Sequence, residues 1–113
     1  MNKIINSKLI EISDSNFKNI IKGEKFFLLY FWANWCNSCK SVLPIIKDLS
    51  IKYYNKIYIY KINIEFNKIL VKKYNIITIP TLILLRNDIL LYKISGLITK
   101  KIIKKKIDFF IKK

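Results

Sequence analysis

The chain is 113 residues long and 52% apolar, which is enough to bury one core and predicts a single domain over residues 1–113. The net charge is +15, but isoleucine, lysine and asparagine, which have AT-rich codons, are abundant in every segment, so base composition explains the charge better than a nucleic-acid partner does. No apolar run is long enough to span a membrane, and two cysteines without any histidine exclude a four-ligand zinc site within one chain.

The first elements of the chain are short. Residues 1–10 contain Asn2, Lys3, Asn6 and Lys8 and have no continuous apolar region, so we expect no signal peptide and a reducing, cytoplasmic location. Residues 8–12 predict a short edge strand. Ser13 or Ser15 then caps a predicted helix that runs to about Lys22 and ends at Gly23.

The next two elements surround the two cysteines. Residues 26–32 form an uninterrupted apolar run, which is typical of a strand buried on both faces of a sheet. Residues 38–54 repeat apolar side chains at helical spacing and predict a helix, which Pro44 should kink because proline lacks an N–H. Cys36 then lies where the strand ends, and Cys39 lies in the first turn of the helix. Unpaired N–H groups and the helix dipole favour a thiolate there.

The second half of the chain continues the alternation of strands and helices. The pattern predicts a strand over residues 56–63, a short helix over 67–74, and two strands over 81–86 and 89–95 that form a tight hairpin at Asn87-Asp88. With a last helix after residue 98, described below, the order of elements is βαβαβαββα. This order predicts an α/β fold with a mixed sheet and helices on both faces.

The last helix is basic and amphipathic. Thr99 is a candidate N-cap, and one apolar stripe comprises Ile103, Ile107, Phe110 and Ile111. Such a helix could bind a membrane surface, but a helix that covers the core is the better interpretation.

The Cys36-Asn37-Ser38-Cys39 segment admits three interpretations. Two buried structural cysteines would share this spacing only by accident. Zinc would need a site shared between two chains, since each supplies only two ligands. A redox-active dithiol needs no residue beyond the two cysteines, so this interpretation is favoured.

Several segments resemble the thioredoxin family. Residues 31–40 resemble the active-site segment of that family, and Ile79-Pro80-Thr81 resembles its cis-proline loop. Gly96 matches a glycine that the family has near the C-terminal end of its domain. Residues 61–65 resemble the end of its third strand. The match covers nearly the whole chain. It implies a thioredoxin fold, a five-stranded mixed sheet flanked by four helices, with a cis Ile79–Pro80 bond in a loop that faces the dithiol.

The resemblance also implies a protein disulfide reductase. Cys36, nearer the surface and exposed, would attack a substrate disulfide, and Cys39 would resolve the mixed disulfide. Expected partners are disulfide-containing proteins and a thioredoxin reductase, with no cofactor, no metal, no membrane, and a monomeric chain. The residues implied in substrate binding are Trp35, Ile79, Pro80 and Gly96. For Trp35, simple packing is the alternative to a substrate platform, and Lys40 should face solvent.

Two positions depart from the family pattern. The usual Gly-Pro between the cysteines is Asn37-Ser38 here, so a disulfide oxidase or isomerase with a raised redox potential is an alternative function.

Tyr30 occupies the place of a buried aspartate that helps to deprotonate the resolving cysteine, and a tyrosine is a poor base at neutral pH. Lys61, the usual partner of that aspartate, would then be neutral, turned outward or paired elsewhere, and is a candidate proton-transfer aid. A non-catalytic binding module is the other alternative.

Overall fold

The computed structural model describes residues 9–112. It contains five strands and four helices in the predicted order: β1 (Ile10–Glu11), α1 (Phe17–Ile20), β2 (Phe26–Trp32), α2 (Asn37–Lys52), β3 (Ile57–Asn63), α3 (Lys68–Lys73), β4 (Thr81–Arg86), β5 (Ile89–Ser95) and α4 (Lys100–Ile111). The predicted edge strand over residues 8–12 is therefore present as two residues, and its first residue, Lys8, lies outside the described range.

The strands form one mixed sheet in the order β1-β3-β2-β4-β5. Strand β3 is parallel to both β1 and β2, whereas β4 is antiparallel to β2 and β5 is antiparallel to β4. This confirms the predicted α/β fold. Strand β2 is central, so the residues that follow its carboxyl end are held by the best-buried part of the molecule.

The apolar run of β2 is buried on both faces, as predicted. Leu28 and Tyr30 belong to one apolar cluster, together with buried residues of α2 and α4. Phe27, Leu29 and Phe31 belong to a second cluster, together with buried residues of α1 and α3. Because successive side chains of a strand point to opposite faces, this run can fill two cores at once. Each such buried side chain contributes roughly 1.5–3 kcal/mol to folding.

The start of α1 differs from the prediction. Neither Ser13 nor Ser15 caps it: the N-cap is Asn16, without a side-chain capping bond, and the helix ends at Ile20. The two serine hydroxyls bond to each other at 2.9 Å, and the Asn16 side chain turns back to accept the Ser13 N–H at 2.8 Å. Local side-chain bonds have replaced the expected cap.

The second half of the chain follows the predictions closely. Both strands of the β4–β5 hairpin have the predicted bounds, and Asn87 and Asp88 have φ values of 54° and 60°, as a two-residue type I′ turn requires. Thr99 caps α4, because its hydroxyl accepts the Ile102 N–H at 3.2 Å. The stripe of α4 packs onto the core, so this helix covers the sheet as expected. Between residues 9 and 112 no helix has both the length and the apolar character needed to cross a bilayer.

Candidate active site

The two cysteines form a disulfide at the amino end of α2. Their Cα atoms are 5.3 Å apart. Cys36 is the N-cap of the helix, with extended backbone, and its Sγ accepts the Cys39 N–H at 3.1 Å. The helix begins at Asn37, one residue before the predicted start. A sulfur in the N-cap position receives a backbone donor and the positive end of the helix dipole, both of which stabilise a thiolate.

Cys36 is less accessible than we expected. Its exposed fraction is 5%, so it is buried, although less deeply than Cys39 at 1%. The expectation of an exposed Cys36 was therefore wrong for the disulfide form, because the N-cap geometry turns its sulfur toward Cys39. The Ser38 hydroxyl lies 3.5 Å from the Cys36 Sγ and donates a hydrogen bond to it. Lys40 faces solvent, as predicted.

Tyr30 lies directly beneath the cysteine pair. It is 3% exposed, and its hydroxyl donates a 2.6 Å hydrogen bond to the backbone carbonyl of Cys39. Burial raises the pKa of Tyr30 to about 12, so the side chain is neutral at physiological pH. This agrees with the interpretation of Tyr30 as a poor base.

A cavity of about 200 Å³ opens beside Cys39. Its wall consists of Tyr30, Trp32, Ala33, Asn34, Cys39, Lys40, Leu43 and Lys61. Lys61 is the neighbour of Tyr30 across the β2–β3 pairing, and its Nζ lies 5.0 Å from the centre of the Trp32 ring. This is a cation–π contact. Of the three possibilities for Lys61, the structure therefore shows the third, since Lys61 is paired with Trp32. Lys61 and Cys39 line the same cavity.

Trp35 projects into solvent beside the disulfide. Its side chain is 61% exposed, so it does not pack into the core, and its indole N–H donates a 3.0 Å hydrogen bond to the Glu65 carboxylate. The Glu65 backbone N–H is in turn held by the Asn63 side chain at 2.9 Å. We did not single out Glu65 or Asn63 from the sequence. The only available signal was their position at the end of β3, next to the end of β2 in a parallel pair.

The proline loop lies at the same edge of the sheet. Thr81, the first residue of β4, pairs with Phe31 near the end of β2, and the Ile79–Pro80 bond that precedes it is cis, as predicted. The Gly96 N–H donates to the Pro80 carbonyl at 3.3 Å, and Gly96 has φ +83°, a conformation that favours glycine. Gly96 and Pro80 therefore lie side by side. Two strongly exposed apolar side chains flank them, Ile77 at 81% and Leu97 at 83%.

Comparisons with known proteins agree with this geometry. Residues 8–109 match the family model described as Thioredoxin. The thioredoxin of Buchnera aphidicola subsp. Acyrthosiphon pisum (strain APS) is 40% identical over 103 residues, which cover 90% of this chain and 95% of that protein. The thioredoxin of Chlorobaculum thiosulfatiphilum is 34% identical over 102 residues, which cover 89% of this chain and 94% of that protein. The chain therefore belongs to the thioredoxin family and is a thiol–disulfide oxidoreductase that reduces protein disulfides.

Proposed function

We propose that Cys36 is the attacking thiolate and Cys39 the resolving thiol. The observation that carries this assignment is the disulfide between them at the amino end of α2, where the Cys36 sulfur caps the helix. In the reduced protein, the Cys36 thiolate attacks a substrate disulfide and releases one substrate thiol. Cys39 then attacks the Cys36 sulfur, releases the second substrate thiol and closes the Cys36–Cys39 disulfide. Two electrons pass from the dithiol to the substrate.

The substrate lies across the surface that exposes Trp35 and Gly96, beside the loop that contains the half-buried Ile79 and the buried Pro80. Trp35 offers an exposed aromatic face, held in one orientation by Glu65. Ile79 is half-buried next to Pro80, and an extended substrate segment can pair with the backbone of this loop. The substrates are disulfide-containing proteins.

Proton transfer during resolution involves water in the cavity beside Cys39, with Lys61 as an aid. The support is that Lys61 and Cys39 line the same cavity, whereas the buried Tyr30 hydroxyl is neutral.

A flavin-dependent thioredoxin reductase is the expected electron donor, in a reducing, cytoplasmic compartment where the dithiol can be regenerated. The chain acts as a monomer, with no cofactor besides the cysteine pair and no metal.

Trapping experiments test the roles of the two cysteines. Cys39→Ser should accumulate a stable mixed disulfide with a disulfide-bonded protein, because the attack proceeds and resolution does not. Cys36→Ser should form none. Equal accumulation by the two variants would contradict the assignment of nucleophile and resolving residue.

A raised redox potential, which would suit an oxidase or isomerase, is favoured by one observation. The Ser38 hydroxyl donates to the Cys36 sulfur, and a hydrogen bond to a thiolate stabilises the reduced form. We expect a potential between the roughly −270 mV of thioredoxin and the roughly −180 mV of protein disulfide isomerase. Equilibration with glutathione measures it, and Ser38→Ala should lower it. A value at or below that of thioredoxin would remove this second candidate.

A further inference from the structure

The mixed-disulfide stage leaves Cys39 without its covalent partner. Once Cys36 is bonded to a substrate, the bond that joins the two cysteines in the structure is absent, and the Cys36 sulfur, which accepts the Cys39 N–H, is engaged with another molecule. The position of the Cys39 sulfur then depends on the backbone of the first turn of α2. Any contact that fixes this backbone bears directly on the resolving step.

The first turn of α2 has one hydrogen bond fewer to the rest of its helix than it would have without Pro44. Pro44 lies inside α2 and has no N–H, so the carbonyl of Lys40, four residues earlier, lacks its helical donor. The interruption comes one residue after Cys39. The start of the helix is therefore less firmly held by the helical hydrogen bonds than an uninterrupted helix would be.

Tyr30 supplies an anchor from outside the helix. It lies on the central strand β2, between Leu29 and Phe31, which are both 0% exposed, and its hydroxyl reaches the Cys39 carbonyl at 2.6 Å. The ring is packed in the same apolar cluster as both cysteines. A short, buried hydrogen bond from the central strand restrains the backbone of the residue whose sulfur must stay in place.

We propose that Tyr30 is a positioning residue for the resolving step, which it serves by anchoring the Cys39 backbone while Cys36 is bonded to substrate. This inference rests on the roles proposed above for the two cysteines. In the step concerned, the deprotonated Cys39 sulfur attacks the Cys36 sulfur. The Cys36–Cys39 bond forms, the bond from Cys36 to substrate breaks, and the electron pair leaves on the substrate sulfur. Tyr30 keeps its proton throughout.

Reaction with the aromatic disulfide dithiobis(nitrobenzoate) separates the two steps. One coloured nitrothiobenzoate is released when Cys36 attacks, and a second when Cys39 resolves the mixed disulfide. Tyr30→Phe removes only the hydroxyl. It should leave the first phase unchanged and slow the second by about tenfold, because small misplacements of a reacting group are costly in an intramolecular step.

Two further variants distinguish anchoring from a general structural effect. Tyr53→Phe removes another buried tyrosine hydroxyl from the same apolar cluster, one that donates to Asp108 on α4. It should lower thermal stability without slowing the second phase. Tyr30→p-aminophenylalanine keeps the ring and restores an N–H donor, and should recover most of the lost rate.

Each result bears on the proposal. A second phase at the wild-type rate in Tyr30→Phe would overturn it, and so would equal slowing of both phases, equal slowing in Tyr53→Phe, or failure of the p-aminophenylalanine variant to recover the rate. If the wild-type protein released no second nitrothiobenzoate at all, the proposed roles of the cysteines would fail instead. The two failures are therefore distinguishable.

Discussion

The two sulfur atoms of the active site lie in different surroundings. The Cys36 sulfur accepts a backbone N–H and the Ser38 hydroxyl at the helix start, whereas Cys39 is enclosed among apolar side chains with 1% of its surface exposed. Hydrogen bonds at a helix start stabilise a thiolate, whereas an apolar enclosure disfavours the charged form and keeps reagents out. We expect iodoacetamide to alkylate Cys36 at least tenfold faster than Cys39 in the reduced protein near pH 7. Mass spectrometry of each cysteine measures this, and equal rates would contradict it.

The neutral Tyr30 hydroxyl leads to a prediction on the pH dependence of the resolving step. Burial raises the pKa of Tyr30 to about 12, so below that pH this side chain stays protonated and cannot accept the Cys39 proton. The Cys39 thiol must then lose its proton to water or with the aid of Lys61. We expect the resolving rate to rise nearly tenfold per pH unit from about pH 6 to about pH 8, below the ordinary thiol pKa of about 8.5.

The two-phase reaction with the aromatic disulfide measures this dependence, and the attack by Cys36 provides the internal reference. That first phase should level off at lower pH, because its thiolate is stabilised. A resolving rate that is already constant at pH 6 would mean that a local base assists Cys39 after all.

Among the elements, α3 is the one whose stability depends most visibly on a residue outside it. Its own N-cap, Asn67, makes no side-chain capping bond. Instead Asp14, in the β1–α1 connection, accepts the Ile69 N–H at 3.1 Å and the Leu70 N–H at 2.9 Å. The Asn67 amide oxygen accepts the Asp14 N–H at 2.8 Å. A carboxylate at this end also complements the helix dipole.

Removal of this cap should be measurable as a loss of stability. Asp14→Ala should lower the free energy of unfolding by about 1–2 kcal/mol, the usual effect of losing an N-cap. Asp14→Asn, which keeps an acceptor, should lose less. Asp48→Ala, which removes only the exposed ion pair with Lys100, is the matched control and should cost under about 0.5 kcal/mol. Denaturant unfolding provides the measurement, and equal losses in Asp14→Ala and Asp48→Ala would contradict the capping role.

The cap by Asp14 also illustrates what the sequence could and could not predict. Strand β2, the hairpin and α4 were predictable because apolar runs, turn residues and Thr99 act within a few residues of one another. Asp14 and Leu70 are far apart in the chain, and only the fold brings them together. The same holds for the contact of Trp35 with Glu65 and for that of Tyr30 with Cys39. The cysteines and Pro80 were therefore predictable from the sequence, but these two contacts were not.

At the level of the whole molecule, the net charge of +15 is a source of repulsion. The four ion pairs found among the described residues all involve partly or well exposed side chains, so each contributes little. Salt screens both effects, but repulsion among 21 lysines outweighs four weak attractions.

We therefore expect added sodium chloride to raise the thermal midpoint by several degrees between low and moderate ionic strength. A variant with the exposed Lys101 and Lys105 both changed to glutamine should be more stable at low salt and respond less to salt. Calorimetry at several salt concentrations tests this. A midpoint that falls on addition of salt would show that the attractive pairs dominate.

This chain is a protein disulfide reductase, and the reduction of insulin by dithiothreitol in its presence measures whether its own cysteine pair turns over protein disulfides. We predict that each wild-type molecule reduces many insulin disulfides, well above the rate with dithiothreitol alone, and that Cys36→Ser adds nothing to that background. A wild-type rate equal to the background would contradict turnover by Cys36 and Cys39 and would leave a thioredoxin fold that binds its partners without catalysis.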